Sequence, residues 1–396
     1  VWNIDESAAT ALLMDLVAID SVNPSLVPGG AGEEKVAARI AEYARTLGFA
    51  ARLDYVTSAR PNVVVVWGGP MAGEAAFDAR HGLLLNGHTD VVDVTGMTEP
   101  FTPTLQGDRI YGRGAGDMKG GLVAGLMAMK AVRDAGILLE KSVVFTGVVD
   151  EEYASIGTED VARRYEADAA IVMDGGFAPE VAHKGFAWVT LETVGKASHG
   201  SRYLEGIDAI AMMARLLTRV DSLNVQYQQE TPHSLCGHKS IHASLITGGT
   251  GLSTYPDRCK AQLERRTLPT EDPRRIVEEL SAITHALTAQ DPRFSATITL
   301  DFVREGYEID PAHPLVGILT QAIRRQTGQE APLVGAGGWK DSAILGAKGI
   351  PTVIFGTGGH GGHSVEEWVE LPKLFNCARV LADVIVAVCG AHTKGL

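Results

Sequence analysis

Cysteine is scarce in this chain: four in 396 residues (Cys236, Cys259, Cys377 and Cys389), with no CxxC spacing among them. They are too few to staple a chain of this size, so reduced, buried thiols and a cytoplasmic location are expected. Positive charge is also in deficit. Lys and Arg number 35 against 48 Asp and Glu, a net charge of −13. That balance argues against nucleic acid and an anionic membrane as partners, and any anionic substrate must find a local basic clamp. No apolar run reaches transmembrane length. The acidic, amphipathic start VWNIDESAATALLMDLVAID lacks the basic region and apolar core of a signal peptide, so none is expected. Repeats, low-complexity stretches and P-loop spacing are missing too. The glycine-rich GRGAGDMKGG is no dinucleotide fingerprint, because Asp-Met-Lys takes the room a pyrophosphate needs.

Glycine, in contrast, is abundant at 45 residues, and it clusters around acids and histidines. His88, Asp117, Glu151–Glu152, Asp174 and His363 each sit in a glycine-punctuated turn: LLLNGHTDVV, YGRGAGDMKGG, FTGVVDEEYASIGT, AAIVMDGG and FGTGGHGGHSVEEW. Four of these five turns follow a short apolar run typical of a buried parallel strand. The polar residues therefore fall at strand C-terminal ends, the edge where open α/β sheets bind ligands. Two imidazoles with several carboxylates suit a pair of divalent cations. Zinc leads for mixed nitrogen and oxygen ligands, with cobalt and manganese able to use the same set.

The length allows two domains. Through about residue 182, helical patterns (SAATALLMDLVAI, EKVAARIAEYARTLG, GGLVAGLMAMKAVRDAG) alternate with strands (NVVVVWGG, GLLLNGH, KSVVFTGVV, AAIVMDGG). This predicts an α/β fold, a mixed and mostly parallel sheet with helices on both faces. From 183 to 302 the βαβ rhythm is lost: FAWVTLETVG, HASLITGG and ITLDFVREGY are strands, with two helices between them. We read a smaller inserted α+β domain there. The α/β pattern resumes over 303–396 and carries His363, so 1–182 and 303–396 must fold together.

His88 and Asp90, two apart at a strand end, share a face, which gives Asp90 the task of holding the imidazole's second nitrogen. Asp117 either bridges two cations or caps the helix that follows it. Glu151 and Glu152 point to opposite sides. Glu152 is assigned to metal and Glu151 to general base, passing a proton from metal-activated water to the leaving amine; Asp150 is read as structural. Asp174 completes one ligand set, while His360 and His363 compete for the other. Glu367 is placed behind His363, and Lys340 and Asp341 in GGWKDSAILG line the substrate pocket, with a capping role equally open for Asp341.

Taken in order, HTDVV, GRGAGDMKGG, DEE, a strand-end acid, GKASHG, ERRTLP and H-x-x-x-E resemble the metallopeptidase family that includes acetylornithine deacetylase, succinyl-diaminopimelate desuccinylase, aminoacylase and glutamate carboxypeptidase. The resemblance covers essentially the whole chain and implies a zinc-exopeptidase-like fold. It implies one metal on His88, Asp117 and Asp174 and another on Asp117, Glu152 and His363, choosing His363 over His360, with Glu151 as base. It further implies that the inserted domain acts as lid and homodimerises, that His199 stabilises the oxyanion in the partner's site, and that Arg266 clamps a substrate carboxylate. Arg265, on the opposite face of its strand, is then structural. Two departures stand out. Ser253 in LSTYP occupies a place where many relatives carry Asn, and Asp174 is Asp rather than the Glu of the desuccinylase branch. DEE also argues against the N-carbamoyl amino acid branch. The expected function is hydrolysis of an N-acyl amino acid amide. A dipeptidase or carboxypeptidase is the alternative, and a non-catalytic metal-binding protein the remote one.

Overall fold

The computed structural model describes residues 2–71, 73–78 and 80–392. The chain divides into two compact units. One comprises Val1–Val181, Ile309–Val334 and Lys340–Leu396, the other Ala182–Glu308 and Gly335–Trp339. The boundary read at 302 falls inside a strand, Ala296–Arg304, whose pairing register shifts at Asp301 but which runs on to Arg304. Gly335–Trp339, placed by sequence in the first unit, groups with the second.

The first unit opens with α1 (Glu6–Val17), whose N-cap Asp5 accepts the amide of Ala8 and whose buried stripe is Ala9, Leu12, Leu13, Leu16 and Val17. After α2 (Glu34–Thr46), β1 (Ala50–Thr57) and β2 (Arg60–Trp67) form a hairpin. β3 (Arg80–His88) is buried at every position after its first, as its apolar run requires of a strand covered on both faces. Helix α3 (Gly120–Asp134) is buried nearly all round. Its glycines permit that depth: a Cβ on Gly121 would stand 2.4 Å from the Met173 carbonyl oxygen. β4 (Val143–Val148), α4 (Ile156–Arg164) and β5 (Glu166–Val172) follow, and the chain leaves along β6 (Glu180–His183).

The second unit is a four-stranded antiparallel sheet of β7 (Gly185–Val194), β8 (Ser240–Gly248), β9 (Arg258–Thr267) and β10 (Ala296–Arg304), in the order β8-β9-β7-β10. Alternate residues of β7 and β9 turn inward, and Val189, Leu191 and Leu263 pack with Met213 and Leu216 of α5 (Ala209–Tyr227) and Leu280 of α6 (Ile276–Gln290).

Back in the first unit come α7 (Pro314–Thr327), α8 (Ser342–Ala347), β11 (Thr352–Ile354) and α9 (Leu371–Cys389), which packs on α3. The sheet order is β1-β2-β4-β3-β5-β11-β6. Its centre, β4-β3-β5-β11, is parallel, and its flanks are antiparallel. The architecture is therefore an α/β fold with a mixed sheet, flanking helices and a smaller inserted domain. No helix among the described residues is long and apolar enough to cross a membrane. The four cysteines are free and buried.

Candidate metal centre

The parallel strands β3, β4, β5 and β11 end side by side, so the segments just beyond them share one edge. His88 is the last residue of β3, Glu151 and Glu152 follow β4, Asp174 follows β5, and His363 lies in the loop after β11. Asp117 comes from a tight turn, Ala115–Lys119, before α3. Ligand atoms of three groups lie within 4.8 Å of one another: His88, Asp117 and Asp174; Asp117, Glu152 and His363; His88, Glu151 and Glu152. Asp117 belongs to two of these groups. His88 Nε2 is 3.2 Å from its Oδ1 and His363 Nε2 is 3.5 Å from its Oδ2. It is no helix cap, since Lys119 holds that position and Asp117 is non-helical.

Glycine lets the Asp117 turn and the His363 loop meet. A Cβ on Gly116 would lie 3.0 Å from the Cα of Gly359, and one on Gly359 2.5 Å from the Cα of Gly116. His363 itself adopts a left-handed φ of 63°, an unfavourable conformation for a residue with a Cβ. Its Nε2 reaches Glu152 Oε2 at 2.9 Å.

Behind these groups stand residues that hold them. Asp90, 1% exposed, accepts the amides of Glu151 (3.2 Å) and Glu152 (3.1 Å) and the side-chain amide of Asn23 (2.8 Å). His88 Nδ1 lies 3.0 Å from the Asp90 carbonyl oxygen and 3.6 Å from its carboxylate, so the backbone carbonyl is the nearer partner. Asp150, at φ 70°, pairs with Arg60 at 2.9 Å and so anchors the start of the Glu151–Glu152 turn. Lys119 is buried and donates to the carbonyls of Leu16 and Ile19, both at 2.9 Å, tying the Asp117 turn to the end of α1.

Two residues differ from their sequence assignments. Glu367 was placed behind His363, but its buried carboxylate accepts the amides of Gly114, Gly116 and Asp117 at 3.0–3.1 Å and pairs with Arg113 at 2.7 Å. Three consecutive-turn amides with no helical partner form a nest that a carboxylate fills better than an imidazole edge would. Asp341 was given a place against substrate, or else at a cap. It is 2% exposed and holds the N-cap position of α8 without a side-chain capping bond; its Oδ2 instead accepts the Thr158 hydroxyl at 2.5 Å. Its neighbour Lys340 instead reaches the site, with Nζ 2.7 Å from Asp174 Oδ2.

Charge here is dense. Burial, reinforced by the charges of Asp341, Asp174 and Glu152, pushes the Glu151 carboxyl well above the usual range, although His88 opposes it. Burial also raises Glu152. Asp117 moves the other way: against its burial, the hydrogen bond and charge of His88, with Lys340 and His363, hold it low. Several carboxylates gathered with a buried His88 and an exposed His363 suit cations, and nitrogen with oxygen donors in shared triads is the donor chemistry of a divalent pair.

The remaining sequence-selected residues lie in the second unit. His199 and Ser253 are on adjoining segments: Gly200 donates to the Ser253 carbonyl at 2.8 Å, and His199 bridges Thr254. His199 Nδ1 accepts the Ser201 amide at 3.3 Å. Arg266 forms a two-pronged pair with Glu264, at 2.8 and 3.1 Å, over the Phe186 ring. Arg265 is fully buried on Tyr227, Glu271 and Glu279. Asn23, Arg60 and Glu180 also stand around these groups, without a motif in the sequence that assigns them there. The Asn-Pro turn of SVNPS is a local signal for Asn23 alone.

These features define a metal-dependent hydrolase. The chain belongs to peptidase family M20/M25/M40, whose model matches residues 84–387. Among curated relatives, an N-formyl-4-amino-5-aminomethyl-2-methylpyrimidine deformylase of Bacillus subtilis is 29% identical, with 91% of each chain covered. An acetylornithine deacetylase of Myxococcus xanthus is 28% identical over 97% of this chain and 98% of that one. The crystal structure of aminopeptidase PepT from Bacillus cereus superposes with a TM-score of 0.78 at 18% identity, over 97% of this chain and 99% of that one. At that identity the likeness speaks for the fold.

Proposed function

We propose that the protein removes an acyl group from the nitrogen of a small amine, its preferred substrates being N-acyl amino acids. The observation that carries this reading is the shared position of Asp117 between the two ligand triads, with Glu151 beside them. His88, Asp117 and Asp174 would hold one divalent cation and Asp117, Glu152 and His363 another, zinc foremost. Such a pair supplies Lewis-acid polarisation of an amide carbonyl and acidifies water. Glu151 takes the proton of the attacking water and delivers it to the departing amine nitrogen; its raised affinity for protons suits a group that must both accept and return one. Asp90 and Glu367 keep the two ligand-bearing turns in place.

His199 donates to the oxyanion in the site of a second copy of the chain. Its Nδ1 is engaged by the hydroxyl and amide of Ser201, at 2.8 and 3.3 Å, which leaves Nε2 as the ring nitrogen for that task. Arg266 exchanges Glu264 for the substrate carboxylate, and Ser253 lies in the turn beside His199. A second copy of the chain docks through the inserted unit; exposed Leu245 (63%) and Ile246 (55%) on the edge strand β8 support this. Free, buried thiols favour a reducing compartment such as the cytoplasm.

The two relatives named above are a deformylase and a deacetylase, which supports deacylation over peptide cleavage. The test is a panel of N-formyl and N-acetyl amino acids and amines beside dipeptides. Release of amine from the acylated compounds, with dipeptides spared, is expected. Cleavage of dipeptides alone would overturn the deacylase reading and leave a dipeptidase.

A further inference from the structure

Asp174 is asked to bind a cation, yet it already has one. The ammonium of Lys340 sits 2.7 Å from its Oδ2, and both side chains are largely buried, at 20% and 15% exposure. Lys340 is also acted on by the charges of Glu180, Glu151 and Asp117, so it serves as the local counter-ion for a crowd of carboxylates. A divalent ion placed on Asp174 would face that ammonium in a poorly screened interior, where like charges repel strongly. The lysine must therefore yield.

A second carboxylate is held on β6, the neighbour of β11 in the sheet. Glu180, at the start of β6, is 8% exposed, and its Oε1 is buried with no hydrogen-bond partner. A buried carboxylate oxygen without a donor is costly and rare. Glu180 is near enough for its charge to act on Lys340, and a four-carbon stem with rotatable bonds can carry an ammonium from one carboxylate to its neighbour.

We propose that Lys340 competes with the divalent cation for Asp174 and, when displaced, is received by Glu180. The cation site on His88, Asp117 and Asp174 is thereby the weaker of the two, and the chain fills in order: first Asp117, Glu152 and His363, then the site that Lys340 guards. This rests on the metal reading given above. It gives Lys340 and Glu180 positioning roles, setting how tightly the second cation is held.

The experiment is Zn2+ binding to metal-stripped full-length protein, measured by chelator competition and calorimetry, for the unaltered chain, Lys340→Met and Glu180→Gln. Groups around metal ligands shift affinity by about 10–100-fold. Lys340→Met is expected to tighten one of two sites within that range and leave the other unmoved, and Glu180→Gln to loosen the same site. A merely structural lysine could not give tightening on removal. Two ions bound by the unaltered chain with affinities that Lys340→Met leaves unchanged, or weakens at both sites, would overturn the proposal alone. Failure of the unaltered chain to bind two ions would overturn the metal reading and the proposal together.

Discussion

The carboxylate of Asp90 accepts the backbone amide of Glu152 at 3.1 Å. The residue two positions after His88 thus fixes the turn that carries the next two site carboxylates, and one side chain couples two strand ends. Asp90→Ala should loosen both: affinity for zinc should fall by about 10–100-fold. Asp90→Asn, which keeps an acceptor oxygen, should fall between. Equilibrium dialysis against buffered zinc reads this directly, and unchanged affinity in the alanine variant would contradict the coupling.

Glu151 is separable from metal binding. Glu151→Gln should retain its full metal content and lose turnover by about 10²–10⁴-fold, the usual contribution of a general base. Metal analysis and steady-state rates on the same preparation provide the check. Substantial turnover with metal retained would remove Glu151 from the mechanism.

Glu367 and Arg113 form a buried pair at 2.7 Å, with Arg113 3% and Glu367 1% exposed. Removing one partner leaves the other charge enclosed and three turn amides unanswered, so Glu367→Leu should destabilise the protein by roughly 3–5 kcal/mol. Adding Arg113→Met should restore part of that loss. Urea unfolding of the single and double variants measures both, and additive losses would argue against the pairing.

His81, fully buried at the start of β3, is held near pKa 4 by burial, against an ordinary 6.5. The unfolded chain therefore takes up this proton first as pH falls. The contribution of neutral His81 is complete above about 6.5 and is lost between 6.5 and 4, on the order of 3 kcal/mol in all. Stability curves at pH 7 and 4.5 should accordingly differ less in His81→Gln than in the unaltered chain. Equal differences would refute the assignment.

Much of this was readable because the site lies where strand pattern and chemistry coincide. Apolar runs ending in His88, Glu151–Glu152 and Asp174 announce both a parallel sheet and its functional edge. The glycines flanking Asp117 and His363 report a real constraint, the contact between Gly116 and Gly359. Harder to read were the partners that act across long sequence distances. Nothing near Glu367 says that its carboxylate belongs to a turn some 250 residues earlier, and four-residue spacing from His363 suggested a local partner. Asp341 does hold the N-cap position that its place before SAILG suggests, but the sequence carries no sign that its carboxylate accepts from Thr158 instead of the helix amides. Arg60 and Glu180 carry no local signal, because an ion-pair anchor and an unpartnered buried carboxylate are defined only by what surrounds them.

The most direct measurement is a zinc titration of the chelator-stripped protein, with hydrolysis of an N-acyl amino acid followed alongside bound metal. The account predicts no hydrolysis in the stripped protein, recovery on adding zinc, and saturation at two ions per chain. Hydrolysis that ignores the chelator, or a chain that saturates with two ions and leaves every acylated substrate and dipeptide intact, would contradict it.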